Sequence, residues 1–149
     1  MPAKLNQTPA MPANVLVVDD DPFIRQMAEA MLSRERRIVT TVDTGARALA
    51  RLAERTPDLV LLDLGLPDVP GLEVLRLMRA AKGWHAVKIL VFTASHDVDD
   101  IVQAKRLGAS GYVSKPIQPD LLADMVCDLL EQADLIWLDD YTRSHRRPH

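Results

Sequence analysis

Two stretches of the chain are apolar four residues in a row, Val15-Leu16-Val17-Val18 and Leu59-Val60-Leu61-Leu62. A strand with one wet face alternates between apolar and polar residues, whereas a strand covered on both faces does not. These runs therefore read as strands buried in a parallel sheet. Ile38-Val39-Thr40-Thr41-Val42 is a short β-branched strand, Val87-Lys88-Ile89-Leu90-Val91-Phe92 a fourth strand, and Gly111-Tyr112-Val113-Ser114 a short fifth. Between the strands the apolar spacing changes to three and four. Ile24, Met27, Ala28, Met31 and Leu32 form one helical face. Ala46, Leu49, Ala50 and Ala53 form a second, over residues 46–54, and Leu72, Leu75 and Met78 a third, with Arg76 and Arg79 outside. Val98, Ile101, Val102 and Leu107 form a fourth, and Leu122, Met125, Val126 and Leu129 a fifth.

Punctuation residues fall where this reading needs them. Asp19-Asp20-Asp21 precedes Pro22, and acids followed by proline suit a helix N-terminus. Thr44 and Asp97 are placed as N-caps, Gly83 and Gly108 as helix stops, and Pro119 opens the last helix. Five strands alternating with five helices predict an α/β fold with right-handed crossovers. The expected architecture is a flavodoxin-like, doubly wound, five-stranded parallel sheet of order 2-1-3-4-5. Residues 1–13, with Pro9 and Pro12 and no periodicity, read as a disordered arm. Residues 14–131 hold the domain. The stripe of the fifth helix continues through Ala133 and Ile136, so residues 132–149 read as a helical extension and a basic tail.

Composition narrows the class. Among 149 residues 48% are hydrophobic and 26% charged, and the net charge is −3, which fits one soluble globular domain. That balance argues against direct nucleic-acid binding, and Arg143, Arg146 and Arg147 in the tail are read as a solvated end. The single cysteine, Cys127, excludes an intramolecular disulfide and suits a cytoplasmic location; its place between Val126 and Leu129 reads as core filling. No apolar run approaches a membrane span.

The chemistry lies at the strand ends. Asp19 and Asp20 follow the first strand, Asp63 ends the third, Thr93 the fourth and Lys115 the fifth. A parallel sheet puts all these ends on one edge, and the 2-1-3-4-5 order makes strands one and three neighbours at the switch point. Three carboxylates in one crevice call for a cation, and carboxylate and carbonyl oxygens with room for water and a phosphate oxygen are the usual setting for Mg2+. Lys115 is a point charge that can pair with Asp63 or with a phosphate. Thr93 offers a hydroxyl, and a carboxylate such as Asp63 can act as nucleophile to form an aspartyl phosphate. Each feature alone is ordinary; their coincidence at four strand ends is specific.

The motifs Val17-Val18-Asp19-Asp20-Asp21, Leu61-Leu62-Asp63-Leu64-Gly65-Leu66-Pro67, Val91-Phe92-Thr93-Ala94 and Gly108-Ala109-Ser110-Gly111-Tyr112-Val113-Ser114-Lys115-Pro116 resemble the receiver domain of two-component response regulators, of the single-domain, chemotaxis-regulator-like type. The resemblance covers about residues 14–131. It implies that Asp63 is the phosphoacceptor, that Asp20 binds Mg2+ directly and Asp19 largely through water, and that the backbone carbonyl of Gly65 is a further ligand. It implies that Thr93 binds the phosphoryl group and acts as the switch, that Lys115 pairs with phosphate, and that Tyr112 turns inward when Thr93 moves. A histidine kinase or histidine phosphotransfer protein would be the donor. Gly65 and Ser95 are smaller than family members often carry, so hydrolysis of the phosphoryl group is expected to be fast. No output domain is expected to follow.

A phosphatase with an aspartyl nucleophile is the alternative, but such enzymes usually want a second acid where Gly65 stands. A nucleotide- or flavin-binding domain would need a glycine-rich loop where three aspartates stand. Output is expected through a downstream protein partner and a homodimer, both using the surface of helix four, strand five and helix five.

Overall fold

A computed structural model of the chain describes residues 12–34 and 36–131. The elements alternate: β1 (Ala13–Val18), α1 (Pro22–Leu32), β2 (Arg37–Val42), α2 (Gly45–Ala50) with a 3-10 turn over Arg51–Ala53, β3 (Leu59–Leu62), α3 (Gly71–Ala80), β4 (Lys88–Thr93), α4 (Val98–Arg106), β5 (Gly111–Ser114) and α5 (Pro119–Glu131). The strands form one parallel sheet of order β2-β1-β3-β4-β5, the expected flavodoxin-like architecture. No helix among the described residues is long and apolar enough to cross a membrane. The arm up to residue 11, the helical extension and the basic tail lie outside the described residues, and Ala13, read as arm, already belongs to β1.

Two cores sandwich the sheet. One face, with Leu16, Val18, Val60, Leu62, Ile89 and Val91, packs under α2, α3 and α4. The other, with Val15, Val17, Leu59, Leu61, Leu90 and Phe92, packs under α1 and α5. Successive residues of β1 and β3 thus feed opposite cores, which is why their sequences are apolar without alternation.

Several side chains depart from the periodicity reading. In α2 the buried residues are Gly45 and Ala48, with Leu49 and Leu52 packed partly against the core, while Ala46, Ala50 and Ala53 face out. An alanine-rich helix gives no contrast between its faces, so packing alone sets its rotation. In α4 only Ala104 is fully buried, and Val98 and Val102 stand 68% and 43% exposed. Cys127 is half-buried, its Sγ 3.3 Å from a carboxylate oxygen of Glu131, rather than in the core. Arg79, expected outside, is half-buried: its guanidinium donates to the carbonyls of Trp84 (2.8 Å) and Gly108 (2.9 Å). Those bonds tie the end of α3 to the turn after α4, and burial pulls the Arg79 pKa down.

Gly71 sets how closely α3 meets β3. Its N–H donates to the Leu64 carbonyl (3.0 Å), and a Cβ there would lie 2.3 Å from Leu64 Cα and 2.5 Å from the Asp63 carbonyl oxygen. Both obstacles are backbone and cannot swing aside. Gly71→Ala should therefore destabilise the domain by about 1–3 kcal/mol and shift the loop that carries Asp63. Urea unfolding measures the first effect and amide chemical shifts of residues 63–66 the second. A variant as stable as the parent would refute this account of the contact.

Candidate functional site

The sheet itself delivers the polar residues. Asp19, Asp63 and Lys115 each follow the last residue of a strand, and their amides add one more rung to the ladder. Asp19 N–H donates to the Val42 carbonyl (3.1 Å), Asp63 N–H to Val18 (2.9 Å) and Lys115 N–H to Thr93 (2.7 Å). Thr93 is the last residue of β4, in register with Ser114. Side chains leaving one edge of a pleated sheet at its final rung share the crevice at the switch point.

Within that crevice a carboxylate oxygen from each of Asp19, Asp20 and Asp63 lies within 4.8 Å of the others. Asp19 and Asp63 are buried and Asp20 is exposed. Lys115 Nζ sits 2.6 Å from Asp19 Oδ2 and 3.7 Å from Asp63 Oδ2, with its ammonium 5.4 Å from the centre of the Phe92 ring. The closer partner of Lys115 is thus Asp19, where the sequence suggested Asp63. The second oxygen of Asp19 is fixed by the Asp21 N–H (3.0 Å), which aims Oδ2 into the crevice. Burial pushes the Asp19 carboxyl above its ordinary value, and the bonds from Lys115 and the Asp21 amide only partly offset it. Asp63 accepts a long bond from the Gly65 N–H (3.3 Å), while a Cβ on Gly65 would lie 3.9 Å from Asp63 Oδ2. Little side chain therefore covers the Asp63 carboxylate on that side. Asp21 is turned away, capping α1 through the Phe23 N–H (2.9 Å).

The donor set suits a hard cation. Its charged groups are carboxylates, their oxygens come within 4.8 Å of one another, and one of the three faces water. Asp19, Asp20 and Asp63 are thus placed to hold Mg2+, which likes oxygen ligands and retains part of its hydration.

Thr93 is buried, and its hydroxyl accepts from the Ser95 N–H at 3.4 Å. The Tyr112 ring is buried as well, and its hydroxyl donates to the Ser95 carbonyl (3.1 Å). Tyr112 therefore already occupies the inward position that the family resemblance ties to movement of Thr93. Burial raises the pKa of its phenol, and the carboxylates of Asp100 and Asp97 add to the effect.

Two supporting residues, Arg25 and Asp68, escaped the sequence reading, and a third, Ser95, entered it only for its small size. Arg25 reaches back from α1 and donates to the Asp19 carbonyl (2.8 Å), bracing the turn that carries the acidic pair. Asp68 accepts from the N–H groups of Gly45 (2.8 Å) and Ala46 (2.9 Å), which pins the loop after Asp63 to the start of α2. Those bonds also hold the Asp68 carboxyl below its usual range. Ser95 joins Thr93 to Tyr112. The signal for Asp68 and Ser95 was present as a small polar residue in a loop, but each partner lies on another element, so spacing could not reveal it.

Residues 15–127 match the response regulator receiver domain family. The transcriptional regulatory protein KdpE of Mycobacterium tuberculosis is 44% identical over 106 residues, covering 71% of this chain and 46% of that protein. The DNA-binding response regulator MtrA of Mycolicibacterium smegmatis is 40% identical over 116 residues, 78% of this chain and 50% of that one. The chain thus spans about half the length of these relatives. Among solved structures, a CheY-like response regulator receiver domain protein from Methanospirillum hungatei superposes with a TM-score of 0.77 at 26% identity, over 82% of this chain and 96% of that chain. With the family match running across most of the sequence, the chain belongs to the receiver domains of two-component response regulators.

Proposed function

We propose that this domain accepts a phosphoryl group on Asp63 from a phosphohistidine of a histidine kinase or histidine phosphotransfer protein, with Mg2+ held by Asp20, Asp19, Asp63 and the Gly65 carbonyl. The observation that supports this most is the convergence of three carboxylates and one ammonium at the end of the β1–β3 pair. An Asp63 oxygen attacks phosphorus, the N–P bond breaks, and its electron pair stays on the imidazole nitrogen. Bound Mg2+ supplies neutralisation of charge on the transferring group. The Lys115 ammonium, within reach of both carboxylates, pairs with a phosphoryl oxygen, and the Thr93 hydroxyl donates to another. Asp63 needs an open approach, and the small Gly65 leaves one. A second acid that would release the group to solvent, as in an aspartyl phosphatase, has no counterpart at Gly65. The domain therefore serves as a signalling element that catalyses its own labelling rather than turnover of an external substrate.

Output runs through α4, β5 and α5 to a protein partner and to a second copy of this chain. Tyr112 lies beneath that surface, and the exposed Val98 and Val102 stand one turn apart on α4. Direct nucleic-acid contact has no part in this reading, since the chain carries a net charge of −3.

Asp63→Asn should abolish labelling by acetyl phosphate with Mg2+; a folded variant that labels normally would overturn the assignment. Mg2+ should raise stability by about 2.7 kcal/mol at roughly one hundred times its dissociation constant, Asp20→Asn should remove most of that gain, and Asp21→Asn should keep it. The gain should fade as pH falls through the raised Asp19 pKa, because the proton that burial favours on Asp19 competes with the metal; thermal melts across pH with and without Mg2+ read it. Light scattering at micromolar protein should show a shift toward dimer when beryllofluoride and Mg2+ are added, and a Val102→Glu chain should stay monomeric. A parent protein that is monomeric under both conditions would remove the homodimer from the reading.

A further inference from the structure

Three parts of the molecule meet at Ser95. Its N–H donates to the Thr93 hydroxyl (3.4 Å) and its carbonyl accepts from the Tyr112 hydroxyl (3.1 Å). Its own hydroxyl donates to Asp100 Oδ2 (2.6 Å) and accepts from the Asp97 N–H (3.2 Å). A serine hydroxyl has one proton, and here it is committed to a charged acceptor at a short distance, the stronger class of hydrogen bond. That proton is directed at α4 and not at the carboxylate of Asp63. Asp100 lies in the first turn of α4, and the amides of Asp100 and Ile101 donate to the carbonyl of Asp97 (3.0 and 3.2 Å). The hydroxyl of Ser95 therefore anchors the turn in which α4 begins.

The anchor matters because α4 packs lightly, with Ile101 only partly buried against the core. Only Ala104 of this helix is fully buried, while Val98 and Val102 face solvent. With so small an apolar footprint, bonds at the ends of the helix add a larger share to holding it in place.

We propose that Ser95 is the positioning residue that carries the state of Thr93 into α4, through the Ser95–Asp100 hydrogen bond. The inference rests on the phosphoacceptor reading of Asp63. When the Thr93 hydroxyl turns toward a phosphoryl group, it leaves the Ser95 N–H, and the loop from Ala94 to Asp97 resettles. Asp100 is fixed to the Ser95 hydroxyl, so the first turn of α4 moves with it. The same residue supplies the acceptor for Tyr112, so helix and ring respond together. Without the hydroxyl, Thr93 still switches and α4 no longer follows.

Hydrogen exchange of the Asp100 and Ile101 amides in the full chain, with and without beryllofluoride and Mg2+, tests this, alongside Asp63 labelling by acetyl phosphate. In the parent protein the exchange rates should differ between the two states. In Ser95→Ala they should be faster in both states by about tenfold, the worth of one such bond, and should differ between states by less than about twofold. Asp63 should still become labelled in that variant. Ser95→Thr, which keeps a hydroxyl, should restore the response, and Asp100→Ala should reproduce its loss from the other side of the bond. A Ser95→Ala chain whose α4 amides respond as in the parent would overturn the inference while leaving the phosphoacceptor reading intact. A parent protein that cannot be labelled on Asp63 would overturn both.

Discussion

Two buried carboxylates and one ammonium share the crevice at the end of β1 and β3, and much of the structure exists to hold them there. Like charges a few ångströms apart repel, and burial removes the water that would weaken that repulsion. Asp19 shows the result: its carboxyl is pushed up by burial even with Lys115 at 2.6 Å. An arrangement that costs free energy in this way gains from added positive charge, and the carboxylate cluster is one that could hold a metal ion. Removing Lys115 would leave two buried carboxylates without their counter-ion, the more damaging case, whereas removing Asp19 would leave Lys115 with Asp63. Lys115 is thus the structural counter-ion of both buried carboxylates.

That crevice stays open because backbone geometry, rather than packing of large side chains, holds its walls. Each key side chain sits beside an amide that completes a rung of the sheet. The loop after Asp63 is fixed from two directions. The first N–H of α3 bonds Leu64, with only the hydrogen of Gly71 between the backbones, and the carboxylate of Asp68 bonds the start of α2. Arg25 does the equivalent for the acidic turn after β1. Rigid support close to the reacting atoms keeps the carboxylates within reach of one another without further side chains crowding Asp63.

The opposite design governs α4. Its core contact is slight, its first turn is built from aspartates, and its exposed face carries two valines. Arg79 secures the turn after it, through Gly108, and Ser95 secures its start. A helix with a small buried face, fixed mainly near its ends, can shift at less cost to the core than a fully buried one. The acidic crevice and the lightly packed α4 thus contrast in how they are held.

Apolar runs without alternation in β1 and β3 were enough to determine the parallel sheet, and with the doubly wound order 2-1-3-4-5 the acids, threonine and lysine that end the strands meet at one edge. Those features are legible because they depend on periodicity and on the topology that periodicity imposes. Helix rotation was not legible where the sequence lacks contrast: the alanines of α2 and the valines of α4 could face either way until neighbouring elements chose. Nor could spacing show that Lys115 lies nearer Asp19 than Asp63, that Arg79 turns inward to carbonyls on two turns, or that Ser95 and Asp68 bridge elements. Each of these depends on a hydrogen bond between residues brought together only when the chain has folded, and a donor's partner is decided by distances of a few tenths of an ångström that no one-dimensional pattern carries.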